Sequence, residues 1–364
     1  MTSRGPLQAI VLAAGEGTRM RSERPKPLHR LCGRSMVLHV LDALAELDLD
    51  RVVVVVGHGA EWVTKTLADE APGGLSIEFV EQAVQRGTGD ATAVALTGLP
   101  EDDEDADVVV LPGDTPLLRP ATLAALVRHH RATDAAATVL TAVLDSPAGY
   151  GRVVQHGDDQ VARIVEDIDA SEPERAIRMV NTSIYCFRRS LLPAALRRLG
   201  PSNAQGEYYL TDVVEVLSDA GYSVRSLVID DPVEAAGVND RAQLAAAEAE
   251  LRDRINERWM RRGVTMWDPE RTYVDTTVEL APDVALWPGV VLRGTCVLGN
   301  GVEIGPDSTL IDTEVGAWSE IRYSMCERAV VGSGSRVGPF ASLGPGAVVA
   351  DGETVGPFES RPEA

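Results

Sequence analysis

Apolar positions along the chain fall into two patterns. Up to about Gln243, short β-branched runs alternate with Ala/Leu-rich stretches at helical spacing. Ala9–Leu12, Arg51–Val56, Ile77–Val80, Asp107–Leu111 and Thr138–Ala142 read as buried strands. Ser35–Leu47, Ala60–Asp69, Asp90–Leu96 and Pro120–Ala132 read as helices between them. Strand alternating with helix predicts an α/β domain, a Rossmann-like and mostly parallel sheet covered on both faces. On such sheets ligands bind at the carboxyl ends of strands, so chemistry is expected in the loops that follow strands.

The second pattern is a repeat. Val284, Val290, Cys296 and Val302 stand six residues apart, and each opens a hexad carrying Gly, Asn, Pro or Asp near its end. After an irregular stretch the period resumes at Val331, Val337, Leu343, Val349 and Val355. Period six with one aliphatic phase predicts a short left-handed parallel β-helix, three hexads to a coil. An Ala/Glu/Arg-rich run from Gln243 to Arg262 predicts a helix joining the two. The expected organisation is therefore 1–243, a linker helix at 244–262, and a β-helix at 263–364.

Composition narrows the partners. With 34 Lys and Arg against 55 Asp and Glu, the chain carries a formal charge of −21, which argues against nucleic acid and against anionic membrane surfaces. The acidic run Glu101–Asp107 reads as a solvated loop. Cys32, Cys186, Cys296 and Cys326 lie far apart with no C-x-x-C, which predicts buried thiols in a reducing compartment. No apolar run approaches the roughly 20 residues of a membrane-spanning helix, and Met1–Pro6 is too short and polar for a secretory signal. A cytoplasmic protein is the expectation.

Chemistry is expected first where the opening strand runs into Leu12-Ala13-Ala14-Gly15-Glu16-Gly17-Thr18-Arg19-Met20 and then Pro25-Lys26-Pro27-Leu28. Small residues there let backbone N–H groups approach a nucleotide. Arg19 offers a forked guanidinium for phosphate. Lys26 is one of only two lysines, with Lys65, so its place beside a Gly-rich turn is informative. Neither a P-loop nor a full dinucleotide fingerprint is present. Asp114 sits just past a strand end, where a carboxylate can bind a metal. The six histidines fall in no metal-ligand spacing.

LAAGEGTRM with PKPLH resembles the opening of the sugar-phosphate nucleotidyltransferases. Further blocks follow in order: Gln82–Gly89 (QAVQRGTG), Gly113–Leu117 (GDTPL), Gly149–Arg152 (GYGR), Ile164–Glu166, Val180–Thr182, Asn203–Asp212 (NAQGEYYLTD) and Gly237–Asn239. Together they are similar to the bifunctional N-acetylglucosamine-1-phosphate uridyltransferase / glucosamine-1-phosphate acetyltransferase family. The resemblance implies in-line attack of a sugar-1-phosphate on the α-phosphorus of a nucleoside triphosphate, UTP being favoured, with Mg²⁺ as cofactor and pyrophosphate released. Positioning and charge neutralisation carry such a reaction. Arg19, Lys26 and Asp114 are the catalytic residues it implies, with Asp114 and Asn239 as metal ligands. Leu12, Ala13, Ala14, Gly15, Gln82, Gly87, Thr88 and Gly113 would line the nucleotide. Gln82 would read the uracil edge, because an amide offers donor and acceptor together, and Gly87 and Thr88 would lie under the nucleoside. Gly151, Glu166, Asn181 and Thr211 would hold the hexosamine and its phosphate.

Three departures from the family stand out. Pro112 replaces a usual Tyr or Ser and removes a backbone donor. Asp90 replaces the His that follows G-T-G. Gly344 stands where the family carries a substrate-binding Arg, and the chain stops about where the acetyltransferase residues begin. These predict no acetyltransferase activity. They leave the β-helix as a stub for a homo-oligomer, a trimer by family analogy, or as a capped remnant on a monomer. The alternatives to UTP with N-acetylglucosamine-1-phosphate are another sugar- or cyclitol-1-phosphate with dTTP or GTP, or a non-catalytic regulatory protein that kept the pocket.

Overall fold

The computed structural model describes residues 5–100, 105–157 and 159–361. They form two compact units, one of 5–29 with 35–243 and the other of 30–34 with 244–361. The turn around Cys32, inside the span first assigned to the α/β domain, thus belongs with the second unit. There the Cys32 backbone N–H donates to the Glu248 carboxylate (2.8 Å). All four cysteines are buried and free. Among the described residues no helix is long and apolar enough to cross a membrane.

In the first unit nine strands make one sheet. Seven run in the order Val224–Val228, Ala137–Val143, Met179–Arg188, Asp107–Pro112, Leu7–Leu12, Arg51–Val56, Ile77–Glu81. Arg152–Gln155 and Val161–Val165 form a side ribbon joined through Val180. Side chains alternate between two cores. Ile10, Val53, Val55, Val108 and Val110 pack with helices Thr88–Ala95 and Asp212–Asp219. Ala9, Val11, Val52, Val54 and Val109 pack with helices Met36–Ala45 and Pro120–Ala132. A strand buried on both faces has no polar phase, which is why Arg51–Val56 reads as an unbroken valine run.

Met179–Val180 opens the ten-residue strand Met179–Arg188, antiparallel to both neighbours. The register slips between Asn181 and Tyr185, where Ser183 takes a positive φ of 62°. That bulge, with polar Asn-Thr-Ser in it, hides the strand's second half from pattern reading.

Of the acidic run Glu101–Asp107, residues 101–104 lie outside the described residues. Asp107 is not part of a solvated loop: it opens the strand Asp107–Pro112 and is buried. Its carboxylate accepts from Arg131 Nε (2.6 Å) and lies 3.4 Å from His130 Nε2, while His130 Nδ1 meets Thr138 Oγ1 at 2.9 Å. Burial pushes this carboxyl up, but the bonds from His130 and Arg131 outweigh it and hold it below the usual carboxylate range. A depressed folded-state value stabilises above the unfolded pKa and is lost as pH falls through the folded one. Asp107→Asn is therefore expected to lose about 1–3 kcal/mol near pH 7, with the gap from wild type closing below about pH 4. Denaturant melts at both pH values read this, and a gap that widens in acid would contradict it.

The second unit carries a left-handed parallel β-helix whose strands stack in three sheets. Its interior has two inward rows. Val284, Val290, Cys296 and Val302 form one; Leu286, Leu292, Leu298 and Ile304 form the other, and both are essentially inaccessible. Val331, Val337, Leu343, Val349 and Val355 continue the second row. The irregular stretch has two causes. Steps of five replace steps of six from Leu310 to Val315, Ile321 to Cys326 and Cys326 to Val331. In the same stretch the first row turns polar, with buried Ser308, Thr313, Ser319, Ser324 and Ser335. Their hydroxyls are satisfied internally: Ser319 donates to the Gly332 carbonyl (2.7 Å), and Ser335 to the Ala350 carbonyl (2.8 Å). The helix Arg241–Arg261 precedes these coils, and Ile255 and Trp259 pack into their core.

Candidate active site

Three groups of side chains form at the carboxyl ends of the sheet strands. In the first, the Lys26 ammonium donates to the Asp114 carboxylate and to Asn239 Oδ1 (2.8 Å). The Arg19 guanidinium donates to the same Asn239 oxygen (2.9 Å). Asp114 follows the strand Asp107–Pro112, and the Val238 N–H donates to its carbonyl (3.0 Å), which draws 237–239 alongside. Gly17 has a φ of 63°, and a Cβ there would lie 2.5 Å from Lys26 Cβ. Only glycine lets the lysine pass under the loop to its two oxygens.

The second group lies around the loop Gln82–Gly89. The Gln82 amide nitrogen donates to the Gly87 carbonyl (3.2 Å) and to Asp90 Oδ2 (2.8 Å). Arg86 pairs with the other Asp90 oxygen (2.8 Å). Thr88 Oγ1 accepts from the Leu210 N–H (3.0 Å). The reason for Gly87 differs from the sequence expectation. With φ at 110°, a Cβ would lie 2.6 Å from the Tyr208 carbonyl oxygen, so glycine is required there by the adjacent segment of the same chain. A second difference concerns the backbone donors. The Ala13 N–H donates to Val55 and the Gly113 N–H to Leu12 (both 2.9 Å). These two hold strand ends together and are not open to a nucleotide. Leu12 is still in the strand, so the open part of the loop runs from Ala14 to Gly17; a Cβ on Gly15 would meet nothing within 4 Å.

The third group unites Gly151, Glu166, Asn181 and Thr211. Thr211 donates to Glu166 Oε1 (3.1 Å), and the Asn181 N–H donates to the Gly151 carbonyl (2.8 Å). A Cβ on Gly151 would lie 3.4 Å from Glu166 Oε2. Burial pushes the Glu166 carboxyl up, with Asp212, Asp169 and Asp167 adding to the effect against the Thr211 bond. Asn181 is partly committed to its own bulge: Oδ1 accepts from the Ser183 N–H (3.1 Å) and Nδ2 donates to the Tyr185 hydroxyl (2.8 Å). Tyr209 is a packing residue, buried with its hydroxyl on Gln205 (3.0 Å). Pro112 ends its strand and its carbonyl accepts from the Thr115 hydroxyl (3.2 Å).

Sequence reading missed Gln85, whose amide donates to the Ala14 carbonyl (2.6 Å) and ties the base loop to the Gly-rich loop. Its only signal was membership of the QAVQRGTG block. Among the described residues no three His, Cys, Asp or Glu side chains cluster as metal ligands. Asp114 Oδ2 and Asn239 Oδ1 do converge on one cation, the Lys26 ammonium.

Residues 9–215 match the family described as MobA-like NTP transferase domain. A bifunctional protein GlmU from Desulfitobacterium hafniense is 45% identical over 93% of this chain and 72% of its own length. Those from Streptomyces avermitilis and Kineococcus radiotolerans are 47% and 48% identical, over 95% and 94% of this chain and 71% and 68% of theirs. Because these relatives are named bifunctional, the comparison lends no support to the expected absence of a second activity. On the extent of these matches, the chain belongs to the GlmU family, and its α/β unit is an enzyme domain of the nucleotidyltransferase class.

Proposed function

We propose that the chain transfers a uridylyl group from UTP to N-acetylglucosamine-1-phosphate, forming UDP-N-acetylglucosamine and pyrophosphate. The observation that carries this reading is the meeting of Arg19, Lys26, Asp114 and Asn239 from four separate segments. Two cations there are positioned to bind phosphate oxygens, and their side chains are already held by the protein. Gln82 faces the base, and Glu166 and Thr211 face a hydroxylated ring.

The same four residues fit the expected Mg²⁺. Asp114 and Asn239 supply one carboxylate and one amide oxygen, and both already face a cation, the Lys26 ammonium. A hard divalent ion held by few protein oxygens keeps its other positions for phosphate and water. Asp114 and Asn239 would hold it, and when bound it neutralises charge on the triphosphate. Lys26 and Arg19 are the groups that orient the phosphates around it.

This reading also puts the enzyme in the cytoplasm, which its four buried, unpaired thiols favour. It puts subunit contacts on the β-helix, where the exposed rings of Tyr323, Phe340 and Phe358 stack 5.6 and 5.3 Å apart; sedimentation velocity reads that.

Pyrophosphate release with Mg²⁺, crossing UTP, dTTP, GTP, ATP and CTP against a panel of sugar-1-phosphates, tests the reaction. Strong preference for UTP with N-acetylglucosamine-1-phosphate is expected. Turnover confined to another pair would overturn the substrates and keep the chemistry, and turnover with none would overturn both.

A further inference from the structure

Asp90 belongs to no catalytic group, yet its carboxylate is directed at the residue facing the nucleotide base. An amide is symmetric in shape but not in chemistry: one end donates twice, the other only accepts. At Gln82 the two N–H bonds are taken by Asp90 Oδ2 (2.8 Å) and the Gly87 carbonyl (3.2 Å). Both partners are acceptors, so a flipped amide would set its oxygen against a carboxylate and a carbonyl. The flip is therefore closed, and Oε1 is the end left for a ligand. Gln82 borders an open cleft of about 630 Å³ that is also lined by Glu16, Gly57, His58 and Gln85.

We infer that Asp90 is a positioning residue that makes Gln82 an obligate hydrogen-bond acceptor and so selects the base. This rests on the reading of the cleft as the base site given above. Uracil presents a ring N–H at its pairing edge, flanked by carbonyl oxygens. Cytosine presents a ring nitrogen lone pair at the same place. An acceptor fixed opposite that position binds the first and repels the second, and a buried unpaired polar group is what makes such rejection strong. Arg86, more than half exposed, pairs with Asp90 from the solvent side and is not needed for the bond to Gln82.

The test is calorimetric titration of the whole chain with UTP and with CTP, without sugar phosphate, so that the answer does not depend on turnover. Wild type is expected to bind UTP more tightly than CTP. In Asp90→Asn the new side chain can donate to a flipped Gln82 as well as accept from an unflipped one, only the Gly87 carbonyl still opposes the flip, and the CTP-to-UTP ratio of Kd falls at least tenfold, mainly through tighter CTP binding. Asp90→Ala, which removes one of the two acceptors altogether, is expected to do the same and serves if the first variant does not fold. Arg86→Gln keeps the carboxylate and is expected to keep the wild-type ratio. An unchanged ratio in the Asp90 variants, or a wild type that does not distinguish the two nucleotides, overturns the assignment. A wild-type ratio that behaves as expected, in a chain that turns over no sugar-1-phosphate, overturns the proposed reaction and leaves Asp90's role standing.

Discussion

Replacing Asp114 with alanine is expected to abolish Mg²⁺-dependent turnover, a loss of at least about 10³-fold in kcat, while the fold survives. The asymmetry follows from what the side chain touches. Its carboxylate meets the Lys26 ammonium, and both groups are partly exposed, so little stability depends on the pair. The structural contribution of Asp114 is made by its carbonyl, which accepts from the Val238 N–H and is retained in alanine. Pyrophosphate release and thermal melting on one preparation read both halves. A variant with normal turnover removes Asp114 from the reaction, and one that melts far below wild type means that the activity loss says nothing about chemistry. Asp114→Asn keeps the shape, loses the charge and should resemble alanine.

Lys26→Ala is expected to lower kcat/KM by at least roughly 30- to 150-fold, about 2–3 kcal/mol of transition-state stabilisation for one preorganised charge. The loss should fall well short of that at Asp114, because Arg19 still reaches Asn239 and keeps one cation at the phosphates. Lys26→Arg is expected to rescue little. The side chain must pass Gly17 with no room for even a methyl group between them, and a broad guanidinium does not follow that path. Steady-state kinetics against UTP check this, and an unchanged kcat/KM would refute the role.

Much of the architecture was legible because burial leaves a periodic trace. Arg51–Val56 and Pro120–Ala132 were readable to the residue, since a strand buried on both faces and a helix opened by proline each mark their own ends. The second half of Met179–Arg188 was not, because a bulge with a positive φ at Ser183 breaks the alternation that identifies strands. The site was legible in outline through residue types that folding seldom requires in that order, such as a rare lysine beside a Gly-rich turn. What could not be read was partnership. Nothing in the sequence says that Asn239 is shared by Arg19 and Lys26, that Ala13 and Gly113 have their N–H groups engaged by strands, or that Gly87 answers to Tyr208. Those depend on which distant segments the sheet order brings together.

The row of hydroxyls inside the β-helix bears on how that unit comes apart. A solenoid holds together mainly through contacts between adjacent coils, so its cooperativity is only as strong as its weakest junction. Where Ser308, Thr313, Ser319, Ser324 and Ser335 replace aliphatic residues, each exchange withholds on the order of 1–2 kcal/mol of apolar burial, although every hydroxyl finds a partner. On the N-terminal side both rows stay aliphatic, whereas beyond Ser335 the first row holds only Ala341, Ala347 and the half-buried Glu353. Apolar burial per coil therefore falls along the stack, and heating should open it from the C-terminal side while the coils from Val284 to Ile304 hold longest.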